Sequence, residues 1–141
     1  MKPSGGDPSA LLAGVQPARR RDDALVLVDL LREVSSREPV LWGTIIGFGA
    51  CRYRYPTGTE GESPLLSFAP RKASTTLYLL DGAGAHAAAL AELGPHTTGA
   101  GCLYIPRLAE VDLEVLRGIL RRSLVWAEAG GADGMSVEVT G

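Results

Sequence analysis

The stretch from Leu41 to Leu80 constrains this chain most, because it places three runs of apolar, aromatic and β-branched residues between short connections. Leu41 to Tyr55 reads as a strand bent near Gly47 and Gly49, Leu65 to Ala69 as a second strand, and Thr75 to Leu80 as a third. Pro56 to Pro64 is a turn region by its Gly, Pro, Thr and Ser content, and Pro70 to Ala73 is a tight connection. A parallel pair needs a crossover of a dozen or more residues, so these strands are expected to form an antiparallel meander. In the second half of the first strand, Cys51, Tyr53 and Tyr55 point one way and Arg52 and Arg54 the other, since strand side chains alternate. One of those faces then meets the core and the other meets solvent or a ligand.

Helices are expected on both sides of this block. Asp7 followed by Pro8 is a helix start, with a side-chain acceptor at the cap and Pro at the first position, and Gly14 is a stop. Between Arg19 and Ser35, Ala24, Leu27, Val28, Leu31 and Val34 recur at the three- and four-residue spacing of one buried helical face. Ala85 to Leu93 is alanine-rich and ends at Gly94-Pro95, and Gly101 to Ile105 is a fourth strand. Asp112 caps a last helix whose Leu113, Leu116, Leu120 and Leu124 share a face. The expected fold class is therefore α+β: a four-stranded, mainly antiparallel sheet with helices on one face, in the order ααβββαβα. Residues 1–127 make one domain and 128–141 a Gly-rich tail, in which Met135 to Val139 has a strand-like sequence but a frayed end is expected.

With 141 residues the chain is long enough to bury a core without disulfides or a structural metal. A net charge of −2 and a pI near 5.7 remove the long-range attraction on which nucleic-acid and membrane-surface binding depend, so neither partner is expected. The first ten residues lack the apolar core of a signal peptide, and no run approaches the roughly 18 apolar residues of a membrane span. Two cysteines without a CxxC, Cys51 and Cys102, fit reduced thiols and a cytoplasmic location.

Several segments also carry a family likeness. Trp42-Gly43, Ile46-Gly47-Phe48-Gly49 followed by Tyr53 and Tyr55, Phe68-Ala69-Pro70-Arg71-Lys72, and Leu93-Gly94 through Gly101-Cys102-Leu103-Tyr104-Ile105 to Leu108 and Asp112 together resemble the YdhG-like family. Order and spacing match over residues 8–125. The resemblance implies an α+β domain from a family mostly without assigned activity, part of which is linked to frataxin-like iron handling. Where similar proteins often carry lysines between the His and the Cys, this chain has Thr97 and Ala100, which lowers the positive charge of that loop.

The residues capable of chemistry are few. Arg52, Arg54, Arg71 and Lys72 form a basic set that a meander gathers on one side, and Arg71 and Lys72 suit a carboxylate or phosphate; the alternative is a set of solvated surface charges. His96 lies in the loop Gly94 to Gly99, whose backbone N–H groups suit an anion as well. Cys51, Cys102, His86 and His96 are of the right types for zinc but lack close ligand spacing. Cys102 is either a nucleophile served by His96 or a small buried hydrophobe. The tyrosines Tyr53, Tyr55, Tyr78 and Tyr104 fall on three strands, as core or as the lining of one pocket with Trp42. For the iron that the resemblance suggests, Asp22, Asp23, Asp29 and Glu33 offer oxygen ligands on the long helix, diluted by Arg19, Arg20, Arg21 and Arg32.

The expected function is a non-enzymatic binding domain for a metal, with iron implied only by resemblance, or for a small anionic ligand held by Arg71, His96, Lys72, Arg54 and Tyr53. No cofactor follows from the residues themselves. An enzyme using Cys102 and His96, and an adapter working through oligomer or partner contacts, are the alternatives.

Overall fold

The computed structural model describes residues 1–141. Asp7 accepts a hydrogen bond from the Ser9 N–H at 2.9 Å, so α1 runs Pro8–Ala13 and ends at Gly14. α2 (Ala18–Ser35) buries Ala24, Leu27, Val28 and Leu31, the stripe that its spacing predicts. A 3₁₀ turn (Ala83–His86) leads into α3 (Ala87–Leu93), and α4 (Leu113–Glu128) begins where Asp112 accepts from the Glu114 and Val115 N–H groups. No helix is long and apolar enough to cross a membrane.

The strands are β1 (Pro39–Trp42), β2 (Ile45–Phe48), β3 (Cys51–Arg54), β4 (Glu60–Ser63), β5 (Leu66–Pro70), β6 (Thr75–Tyr78), β7 (Thr97–Thr98), β8 (Cys102–Ile105), β9 (Gly131–Ala132) and β10 (Met135–Val139). They build two antiparallel sheets: six strands in the order β1-β2-β5-β6-β8-β7 and four in the order β4-β3-β10-β9. The fold is α+β, but it is not the four-stranded sheet in the order ααβββαβα that the sequence suggests.

Three features account for most of the difference, and the two-residue β7 in the His96 loop adds a further strand. Leu41 to Tyr55 is three strands, not one bent strand, because Gly43 at φ 69° permits a two-residue turn that folds β1 back on β2. Gly49 at φ 74° then breaks the run again, and a Cβ there would stand 2.7 Å from both Arg37 and Leu65. The expected turn region contains β4, an edge strand with little apolar alternation, whose register sets Glu62 against Arg52 and Glu60 against Arg54. Lastly, residues 128–141 are no tail: β10 pairs with β3 and Val137 is buried. Backbone pairing of that kind uses N–H and C=O groups that every residue carries, so composition does not reveal it.

One buried cluster extends from Leu12 to Val137. It joins Leu27 and Leu31 of α2 and Leu116 and Leu120 of α4 to the inward-facing Ile46, Phe48, Leu66, Phe68, Leu77, Leu103 and Ile105 of the six-stranded sheet. Part of the mixed-charge surface expected on α2 is structural instead. Arg20, only 2% exposed, donates to the Pro106 carbonyl at 2.7 Å, and Asp23 accepts from the Leu108 N–H at 3.0 Å. Together they fasten the link between β8 and α4 to α2.

Leu116 is fully buried at the centre of the α4 face. Leu116→Ala is expected to destabilise the protein by about 2–5 kcal/mol in denaturant melts, through lost transfer energy and the cavity left behind. A change below about 0.5 kcal/mol would place this face of α4 outside the core.

Candidate functional site

The six-stranded sheet has one face on the helices and one turned away from them. Alternation and register put Ile45, Gly47, Ser67, Ala69, Thr76, Tyr78, Cys102 and Tyr104 on the face turned away. The smaller sheet joins the larger one through β2–β3 and β4–β5, which form one continuous hairpin shared between the sheets. At the seam lies a cleft of about 280 Å³, walled by Ile45, Ser67, Tyr78 and Leu79 on one side and by Tyr53, Tyr55, Pro64 and Met135 on the other.

Tyr53 owes its position to a glycine. It faces Gly61 in the register of β3 with β4, and a Cβ on Gly61 would meet the Tyr53 hydroxyl at 2.5 Å. The Tyr53 ring therefore lies across the β4 backbone, where it packs edge-to-face with Tyr55 at a centroid distance of 5.7 Å.

Arg71 directly follows β5 and, by alternation, lies on the same side as Ser67 and Ala69. Its Nη1 donates to Thr44 Oγ1 at 3.0 Å and its Nη2 to the Tyr78 hydroxyl at 3.5 Å. Both acceptors are neutral hydroxyls, so these bonds orient the guanidinium without cancelling its charge. A guanidinium has five N–H donors, and those not spent on Thr44 and Tyr78 suit a carboxylate or phosphate. Tyr78 links this cation to the cleft, because it borders the cleft and its hydroxyl meets Arg71.

The other residues singled out by sequence occupy different settings. Arg54 pairs with Glu60 at 3.4 Å across the small hairpin, away from Arg71. Lys72 is exposed beside Arg71, and both border an open depression with Gln16 and Pro17, separate from the cleft. His96 hydrogen-bonds the Gly94 carbonyl through Nδ1 at 2.7 Å; a carbonyl only accepts, so Nδ1 carries the hydrogen and Nε2 is left free. Between β5, which leads to Arg71, and β7, which follows His96, stand β6 and β8, a separation of roughly 14 Å at ordinary strand spacing. The structure thus joins Arg71 to Tyr78 rather than to His96.

Cys102 and His96 are not in contact either. In the pairing of β7 with β8, Thr97 stands opposite Tyr104, which leaves His96 roughly 10 Å along the strand from Cys102. The neighbour of Cys102 is Tyr104: a hydrogen bond with the Cys102 thiol, its charge when ionised, burial and nearby Tyr78 push the Tyr104 phenol above its ordinary range. Cys51 is buried in β3, and burial pushes its thiol up to about 11.

The acidic residues on α2 are engaged individually. Asp29 pairs with Arg32 at 3.1 Å, Glu33 with Arg117, and Asp23 with Arg20 at 3.8 Å. No three His, Cys, Asp or Glu side chains come together as a metal-holding group.

Two features escaped the sequence. Thr44 reaches Arg71 only because the Gly43 turn folds β1 onto β2, and a Trp-Gly-Thr-Ile run between β-branched residues was the available signal. The second is a buried polar clamp. Asp81 accepts from His86 Nε2 and from Ser123 Oγ, each at 2.8 Å, and so ties the end of the sheet and the 3₁₀ turn to α4. Nothing in local spacing pairs residues 42 positions apart.

Comparison with protein-family models, curated proteins and solved structures finds no match for this chain.

The two thiols differ in environment, and their reactivity should differ too. In native protein a thiol reagent should modify Cys102 readily and Cys51 only after unfolding, because thiolate, not thiol, is the reactive form. Denatured protein should titrate as two free thiols, in line with two unpaired cysteines. Equal rates for both in the native state would contradict the buried setting of Cys51.

Proposed function

We propose that this chain is a non-enzymatic binding domain of the YdhG-like kind that takes a small anionic ligand at Arg71, on the sheet face turned away from the helices. One observation carries the reading: Arg71 is oriented by two neutral hydroxyls, Thr44 and Tyr78, and Tyr78 also borders the neighbouring cleft with its apolar and aromatic walls. A mostly apolar recess with a few convergent polar groups is the common form of a small-molecule site. Of the two ligand classes suggested by the sequence, the anion is the one for which a donor is in place. Lys72 adds positive potential as a point charge beside it, Tyr53 supplies wall, and Arg54 and His96 fall outside this contact.

With one oriented guanidinium and no lysine at Thr97 or Ala100, affinity for a minimal anion should be weak, in the micromolar to millimolar range of about −8 to −4 kcal/mol. Titration calorimetry with inorganic phosphate, sulfate and acetate tests this. Arg71→Ala should abolish measurable binding, whereas Lys72→Ala should weaken it only a few-fold, since the planar fork can make two parallel hydrogen bonds and the ammonium cannot. Binding of sulfate through a guanidinium alone should be nearly flat between about pH 6 and pH 8. If Arg71→Ala binds all three anions as the parent does, Arg71 is a solvated surface charge and the reading fails.

A further inference from the structure

Resting on that reading, we infer that the ligand is an aromatic anion: a phosphate or carboxylate attached to a single planar ring, with its charge on Arg71 and its ring in the tyrosine-walled cleft. The two subsites share one residue. Tyr78 meets Arg71 through its hydroxyl and also borders the cleft, so a group bound at the guanidinium lies beside a residue of the cleft wall.

The walls favour a flat apolar body over an aliphatic or strongly polar one. Tyr53 and Tyr55 line the cleft as an edge-to-face pair with planes inclined at 66°, and such pairs accept a further ring by stacking on a face or meeting an edge. Tyr53 is fixed before any ligand arrives, because its ring rests on the β4 backbone over Gly61, where a side chain of any size would displace it. Preorganisation of this sort removes part of the ordering cost of binding. Ile45, Pro64 and Met135 add apolar wall to this half-open cleft. The volume of about 280 Å³ lies at the small end of ligand sites, which suits one ring with its substituent and not a dinucleotide or an acyl chain. Glu62, which also borders the cleft, is paired with Lys2 at 3.9 Å.

The test compares phenyl phosphate with methyl phosphate, two ligands with the same charged group, by calorimetry on the parent chain, Tyr53→Ala and Arg71→Ala. Phenyl phosphate should bind the parent at least about tenfold more tightly, the scale of one or two aromatic contacts plus buried ring area. Tyr53→Ala should erase most of that preference by weakening phenyl phosphate far more than methyl phosphate, while Arg71→Ala should weaken both. If the two phosphates bind the parent alike, the aromatic class is wrong and the anion site stands. If neither binds, the anion site itself is wrong and this inference falls with it. A preference for phenyl phosphate that survives Tyr53→Ala in folded protein would overturn the placement of the ring; should that variant not fold, the parent-chain comparison of the two ligands decides.

Discussion

The architecture depends on one hairpin that belongs to two sheets. β2 and β3 run on from each other, as do β4 and β5, and the paired strands bend where Gly49 takes a left-handed conformation beside Leu65. The Leu65 N–H still bonds the Phe48 carbonyl at 3.2 Å, so pairing persists through the bend. Without it, β3 and β4 would extend the larger sheet into solvent. With it, they form a second sheet, and β10, which also packs on α4, closes the free edge of β3. The cleft follows from that bend, because each of its walls belongs to a different sheet.

Within this frame, charge is disposed in two ways. Most ionic groups are paired at the surface or used to fasten elements: Arg54 with Glu60, Arg117 with Glu33, Arg32 with Asp29 and Glu38. Exposed pairs of this kind contribute little to stability, and their presence needs no functional explanation. Arg71 differs in being held by hydroxyls alone, an arrangement that fixes direction and preserves charge. That difference in partners, rather than the number of basic residues nearby, distinguishes it from Arg54.

Buried polar groups do separate work. Arg20 and Asp23 hold the segment around Pro106 and Leu108, and Asp81 joins His86 to Ser123 at the opposite end of α4's packing surface. Burial lowers the affinity of the Arg20 guanidinium for its proton, partly offset by the attraction of Asp23. Each of these groups would be costly to leave without a partner away from water, so the contacts specify how the helices seat on the sheet. They also explain why the mixed-charge face of α2 is a poor guide to ligand binding, since part of it faces inward.

The sequence by itself determined the parts governed by local periodicity and capping. α1, α2 and α4 begin and end within a residue or two of the positions that Asp7, the apolar stripe of α2 and Asp112 dictate, and Tyr53 alternates with Arg52 and Arg54 as a strand requires. An α+β chain with consecutive antiparallel strands was legible for the same reason. Only the tertiary structure decided that there are two sheets, that residues 135–139 pair with β3, and that Arg71 meets Thr44 and Tyr78 while His96 stands apart. Side-chain identity encodes which face of an element is buried, because burial depends on the side chain. Strand partnership runs through backbone groups that are the same in nearly every residue, and it therefore becomes visible only once the chain is folded.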